Sequence, residues 1–522
     1  MNRPSMTHSA AIHIDSSRKR IISQSRRDLE FICKQILRFL KMPHKQLFAH
    51  YRKNRHDAFC TIPHPDGKGQ LQCGSLAWEK FGKLAGRVIE FEPTLVQRAS
   101  EERVMQEVID AFVQRVLRDH QEIDQKTAEQ ILVDAAEKST QSLQITEHYL
   151  PCILFLHGKP DEFSIGPITF VRRKKFFQDK KQVHRRSVEA EIASHIEHVD
   201  KRVEQGFPRE RAATVEQSKY LVRGLHARAI KTYRGYPWIA EVRIINCDHE
   251  VSEKLAAKAI ETALNVIRIL IGADRTRRLR LAWSRGDALR TAGLWADARG
   301  VIHAQIGSSS IGPVGFENWY EALTQGGGHE LQVLGSALAP LVDPHEITHL
   351  HERFIDAINW FGDAATDTES TASVVKYVSA IERLLFGKFD RGHKTEFASR
   401  IKILCNLFGY EDDVQVYEDA LQVYNARSAL LHGDLSPRDK KSPEIAFLAE
   451  ELSRRCILCA AQLYPMMLMA YDNPGPDRLE YVFKKIGKEG LDWLAKEANY
   501  TKAPRSAASG EAAVNCGRSD LT

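Results

Sequence analysis

Between Ile347 and Leu463 the chain repeats one pattern five times: apolar residues recur at helical spacing, separated by short polar connections. Ile347, Leu350, Phe354, Ile358 and Phe361 stand at offsets 0, 3, 7, 11 and 14, which lines one side of a helix. Val374, Val378, Ile381 and Leu385 make a second stripe, and Phe397, Ile401, Leu404 and Phe408 a third. A fourth runs through Tyr417, Leu421, Tyr424, Ser428 and Leu431. Ser442 followed by Pro443 reads as an N-cap and first-turn proline, opening a fifth helix that carries Ile445, Leu448, Leu452, Cys456, Cys459 and Leu463. Helices that each show one apolar stripe must bury it against one another, so this stretch is expected to be an all-α bundle.

At 522 residues the chain has room for two or three domains. Residues 1–145 read as mostly helical, with stripes at Leu29, Ile32, Ile36 and Leu40 and at Val104, Val108, Phe112 and Val116. The pattern then changes. Cys152–Leu156, Ile165–Val171 and Trp238–Ile245 read as strands bounded by Gly, Pro and Asp. A helix from a Ser252 cap to Ile271 follows, with further strands at Arg278–Trp283 and Val301–Ile306. Residues 146–328 are therefore expected to form an α+β middle domain, with Gly326–Gly328 as the joint to the bundle at 329–500. Residues 501–522, rich in Ala, Ser, Gly and Asn, are expected to be a disordered tail. The expected fold is thus multidomain: a mostly helical N-terminal region, an α+β region and a C-terminal helical bundle.

Composition narrows the classes of function. Hydrophobic residues at 43% and charged residues at 27% are those of a soluble globular protein. No run reaches the roughly 18 apolar residues of a membrane helix, and Pro465 interrupts the best candidate, so no membrane partner is expected. The N-terminus lacks the apolar core of a signal peptide and is basic around Ser17 to Arg27, a composition that a transit peptide shares. Nine cysteines without framework spacing point to a reducing compartment, so a cytoplasmic location is expected. A net charge of +6 permits nucleic acid as a partner without demanding it.

The fourth helix ends in Tyr424-Asn-Ala-Arg-Ser-Ala-Leu-Leu-His432-Gly433, with Arg427 and His432 five positions apart. Histidine exchanges protons near neutral pH, and arginine keeps its charge and forks onto phosphate oxygens. Together they can act on a phosphodiester. Gly433 supplies the left-handed residue that follows a last turn. Asn425, Ser428 and His432 share one face, whereas Arg427 leaves the helix about 140° from His432. One chain therefore has difficulty converging both on one phosphate. The competing reading is plain: basic residues in a last turn complement the helix dipole.

This context resembles the HEPN superfamily, specifically its bacterial Apea-like members. Their motif is Arg, four to six residues, then His, with a polar residue after the Arg; here these are Arg427, Ser428 and His432. Ser379-Ala-Ile-Glu382-Arg-Leu-Leu-Phe386 is similar to the family's glutamate-bearing helix, and the likeness runs from Pro344 to Tyr471. The resemblance implies a metal-independent endoribonuclease, without cofactor, in which His432 is the acid/base and Arg427 stabilises the phosphoryl oxygens. Ser428, Asn425 and Glu382 would support them. It also implies a homodimer, with RNA as substrate, and a role as a bacterial toxin or anti-phage defence effector. The alternative within the same family is a non-catalytic module for RNA or nucleotide binding, or for dimerisation.

Four other patterns compete. His345-Glu346-Ile-Thr-His349 matches the zinc-peptidase string, but Pro344 sets it at a helix start and its histidines lie off the apolar stripe, so a solvated first turn is expected. His56, Cys60, His64 and Cys73 are zinc-type residues without knuckle spacing, and no metal site is assigned to them. Cys456 and Cys459 fall within an apolar stripe and read as buried thiols. The basic run from Arg172 to Arg186 interleaves Phe176 and Phe177, so Arg172, Arg173, Lys174, Lys175, Arg185 and Arg186 are candidate RNA contacts; the rival is a solvated connection.

Overall fold

The computed structural model describes residues 8–502, apart from 68, 205–210, 283–289, 297–301, 309–316, 389–393, 410–412, 437–438 and 440. The tail expected after residue 500 falls, from 503 onward, outside the described residues. The chain is mostly helical with a small antiparallel sheet region. It divides into two compact units, one of residues 1–147, 243–256 and 343–345 and the other of the remaining residues. The middle region and the C-terminal helices fall in one unit, so no unit boundary lies at Gly326–Gly328.

The first unit is built from α1 (His8–Leu40), α2 (His44–Lys53), the hairpin β1 (Thr61–Pro63) and β2 (Gln70–Gln72), α3 (Ser75–Phe91), α4 (Glu101–Phe112) and α5 (Gln125–Gln141). Its core joins Leu29, Ile32 and Ile36 of α1 with Phe81, Leu84 and Val88 of α3, Val104, Val108 and Phe112 of α4, and Ile131 and Leu132 of α5. Leu40, expected on the α1 stripe, is exposed. The buried Asp28 carboxylate is matched by Lys80 at 2.6 Å and Arg87 at 2.7 Å, so α1 and α3 share a charge pair beneath their apolar seam.

Along the chain after α5 come β3 (Gln144–Ile153), β4 (Glu162–Ile165), β5 (Ile168–Arg172), α6 (Arg173–Asp179), α7 (Lys181–Glu204), α8 (Arg211–Tyr233), β6 (Trp238–Cys247), α9 (His249–Ile271), α10 (Ala273–Thr276) and β7 (Arg280–Leu281). The strand order is β4-β5-β6-β3-β7. A separate antiparallel ribbon pairs β8 (Arg290–Ala296) with β9 (Ile302–Ser308). The single strand expected at Ile165–Val171 is instead a hairpin. Gly166, at φ +55°, and Pro167 turn the chain between β4 and β5, with Ile165 opposite Ile168. The α9 helix is capped earlier than expected: the Asp248 carboxylate accepts the Val251 N–H at 2.8 Å, and Ser252 is buried inside the helix.

The C-terminal helices are α11 (Trp319–Leu323), α12 (His329–Ser336), α13 (His349–Thr366), α14 (Ser370–Leu385), α15 (Lys394–Leu407), α16 (Asp413–His432), α17 (Ser442–Ala470), α18 (Pro476–Glu489) and α19 (Leu491–Lys502). The α14 helix packs against α13, α16 and α17, which makes it the axis of the bundle. Four expected stripes are buried largely as read: Leu350, Phe354, Ile358 and Phe361; Val374, Val378, Ile381 and Leu385; Phe397, Ile401 and Leu404; and Leu452, Cys456, Cys459 and Leu463. The α17 cap is Lys441 rather than Ser442, whose side chain is buried without a partner. Gly166 and Gly335 touch backbone to backbone, so a Cβ on Gly335 would sit 2.6 Å from the Gly166 nitrogen. Gly335→Ala is therefore expected to cost about 3 kcal/mol, read from the midpoint of denaturant unfolding.

Candidate functional site

The register of α16 differs from the expected stripe, and the difference decides what Arg427 does. The buried line is Val416, Ala420, Val423 and Ala426, while Tyr417, Leu421 and Tyr424 are half-buried flanks and Leu431 is exposed. Offsets 0, 4, 7 and 11 from Val416 lead to Arg427, so the arginine continues the inward seam of the helix. Its Nη2 lies 3.4 Å from a Glu382 carboxylate oxygen on α14, and its guanidinium stands 5.8 Å from the centre of the Tyr424 ring. The Tyr424 ring in turn packs against Phe397 of α15. At 3.4 Å the ion pair is long for a charge-assisted hydrogen bond, and the Arg427 Nε is buried without a partner. The fork is thus anchored at one tip and unsaturated elsewhere.

His432 is the last residue of α16 and is exposed. Gly433 adopts φ +82°, and the Asp434 N–H reaches back to the Ala429 carbonyl at 2.8 Å. This is the six-to-one bond that closes a Schellman end, and it requires a left-handed residue where Gly433 stands. Asn425 is exposed and Ser428 half-buried. Among the described residues no hydrogen bond joins His432 to Arg427. The structure therefore brings Glu382 to Arg427 and leaves His432 facing outward.

The basic run is divided by the fold. Arg172 turns inward: its guanidinium covers the Trp238 ring at 4.3 Å and donates to the carbonyls of Phe155, Leu156, His157 and Gly158. It fixes a loop and is withdrawn from the candidate RNA contacts. Arg173 donates to the Arg234 carbonyl, and Lys175 pairs with Asp179 and Glu162. Phe176 is buried against Tyr149 and Phe177 half-buried, so neither ring is presented for stacking. Lys174, Arg185 and Arg186 are exposed, with Arg185 facing Glu189 at 3.7 Å.

The zinc-peptidase string does not lie on one continuous α-helix. Pro344–Glu346 forms a 3-10 turn, Thr348 is the extended N-cap of α13, and His349 is its first residue. Thr348 and His351 form a reciprocal capping box, so this segment starts a helix rather than holding two histidines one turn apart. Cys60 and Cys73 face each other across the β1–β2 hairpin, where the Cys73 N–H bonds the Cys60 carbonyl at 3.0 Å. Burial pushes the Cys60 thiol up and the Cys73 thiol up to about 12. Among the described residues no group of three or more His, Cys, Asp or Glu side chains could hold a metal ion.

Sequence reasoning missed that Cys405 of α15 joins Cys456 and Cys459 in one buried thiol cluster. Hydrogen bonds to Cys405, together with burial, push the Cys456 and Cys459 thiols up. Iodoacetamide is therefore expected to leave Cys456 and Cys459 unmodified in the folded protein and to modify them on unfolding, as read by mass spectrometry. The helical hairpin α7–α8 was also missed; its signal was two long runs free of interior proline, dense in charge.

Among the described residues no helix is long and apolar enough to cross a membrane. No family model, no curated protein and no solved structure matches the chain.

Proposed function

We propose that this chain is a metal-independent endoribonuclease of the HEPN type, with Arg427 and His432 as its catalytic pair. The observation that carries the reading is the pairing of an arginine, half-buried and anchored by Glu382, with an exposed histidine at the glycine-closed end of the same helix. The reaction is attack of an RNA 2′-hydroxyl on the adjacent phosphorus, with departure of the 5′-oxygen and formation of a 2′,3′-cyclic phosphate. His432 exchanges the proton of the attacking or leaving oxygen. Arg427 stabilises charge on the non-bridging oxygens with the N–H groups that Glu382 leaves unfilled. Ser428 and Asn425 are close enough in sequence to orient the phosphate or the imidazole.

Because the two side chains leave α16 about 140° apart, the active form is a homodimer in which two copies of this helix face each other. Its setting is the cytoplasm of a bacterium, as a toxin or defence effector. The test is expression in bacteria of the wild-type chain and of His432→Ala, with total RNA resolved on a gel. Growth arrest and RNA fragmentation are expected from the wild type alone; equal fragmentation by both would end the reading. A second reading draws on the same ion pair: with Arg427 engaged by Glu382, the module binds RNA or dimerises without cutting. It predicts no fragmentation from either protein.

A further inference from the structure

The positive charge of this protein is concentrated in one element. Residues 173–234, which hold α6, α7 and α8, carry sixteen lysines and arginines against eight aspartates and glutamates, a net +8. The whole chain is only +6, so everything outside this segment sums to −2. The α7 and α8 helices pack against each other, with α6 at the base of α7. Their seam is thin: Ile192, Ser218 and Val222 are buried, and the His226 ring bridges His184 at 3.1 Å and Glu191 at 2.7 Å. Among the described residues of the hairpin most side chains are thus exposed.

That surface is ordered. From Tyr220, offsets 3 and 11 on α8 lead to Arg223 and Lys231, which lie within about 60° of it, on the side of the helix opposite the buried Val222. Arg228 flanks this stripe. Tyr220 is 76% exposed, an unusual position for a large aromatic ring with no core to fill. Glu216, beyond the stripe's outer end, is taken up by Lys219 at 2.7 Å. Among the described residues Arg186, Arg228 and Lys231 form no ion pair. From Tyr220 to Lys231 the stripe spans about 16 Å of helix.

We propose that the α7–α8 hairpin is an RNA-gripping arm, in which Arg223, Arg228 and Lys231 neutralise backbone phosphates and Tyr220 stacks on a base. It rests on the ribonuclease reading only for the choice of RNA as the polyanion. Clustered cations beside an exposed ring are the pairing that single-stranded nucleic acid binds. A membrane surface fits less well, because the exposed Leu221 and Leu225 flank the seam rather than forming an apolar face opposed to the basic one. The candidates read earlier at Arg172, Arg173 and Lys175 are engaged within the protein, so the contact moves outward along the arm to α8.

The test uses the full chain carrying His432→Ala, so that binding is read without turnover, and a fluorescein-labelled single-stranded RNA of mixed sequence followed by anisotropy. Adding Arg223→Gln, Arg228→Gln and Lys231→Gln together is expected to weaken binding at least ~10-fold and to lower the salt slope by about two. Tyr220→Ala alone is expected to weaken binding by about fivefold or more with an unchanged slope. Unchanged affinity and slope in the triple variant, with helix content intact by circular dichroism, would overturn the proposal. So would a parent chain that binds no RNA, or a loss seen only with phosphatidylserine vesicles. Weakened binding in a protein whose His432→Ala form still cuts RNA would leave the arm standing and remove the ribonuclease reading.

Discussion

Replacing His432 with alanine is expected to slow RNA cleavage by on the order of 10²-fold or more under single-turnover conditions, because it removes the proposed proton-transfer group. His432 is exposed, and among the described residues it holds no bond to another element, so circular dichroism and the unfolding midpoint should be unchanged. Arg427→Ala is expected to cost a similar factor by removing charge from the phosphoryl oxygens. It also breaks the ion pair with Glu382, so Glu382→Gln is the control: it loosens the pair while keeping the guanidinium. Arg427→Lys retains charge without the fork and should recover little. A single 2′-deoxy sugar at the cut site should block cleavage, and the products should end in cyclic phosphate. Cleavage at equal rates by wild type and His432→Ala would reduce the pair to a helix end.

The largest effect on stability is expected at Arg400, which has no part in that chemistry. It is buried, and its guanidinium bonds the Leu385 carbonyl at 2.7 Å, Glu396 at 2.7 Å and Glu480 at 2.5 Å, between the rings of Phe386 and Phe483. One side chain thus closes the end of α14, its own α15 and α18 together. Arg400→Ala removes the guanidinium from a carbonyl and two carboxylates at once, at a cost of about 3–5 kcal/mol, read as a drop in the denaturation midpoint. The same site sets an acid limit. Burial pushes the Glu480 carboxyl up, but the Arg400 hydrogen bond and charge and the Gly387 amide outweigh it, so its pKa ends below the ordinary carboxylate value. A depressed carboxylate stabilises the fold above its unfolded pKa, about 4.3, and that stability is lost as pH falls further. In Arg400→Met this acid-sensitive part of the stability should shrink, and pH-dependent unfolding of the two proteins would show whether it does.

The bundle was legible where large apolar residues mark the buried face, as in α13, α14, α15 and α17. It was misread in α16, because Tyr417, Leu421 and Tyr424 outweigh Val416, Ala420, Val423 and Ala426 on any scale of apolar size. In α16 the small residues fill the seam and the rings sit at its flanks, so the error was a rotation of one residue. That rotation moved Arg427 from the side of the helix to its inner seam. Other misses have the same local origin. The Gly166–Pro167 turn hides inside an apolar run, the α9 cap is an aspartate standing four residues before the serine that resembles one, and the α7–α8 hairpin buries too little apolar surface to show a stripe. The glycine-closed end after His432 was legible, since glycine takes a left-handed backbone at the least cost.

The inward arginine and outward histidine of α16 also have a kinetic consequence. If each composite site draws its arginine from one copy and its histidine from another, a single chain is unarmed, and turnover rises with the square of protein concentration until pairing saturates. Two different broken copies could then repair each other: mixing Arg427→Ala with His432→Ala would rebuild one whole site per mixed pair while leaving the second doubly broken. Dosage inside the cell, rather than any change in the chain itself, would set when such a protein begins to act.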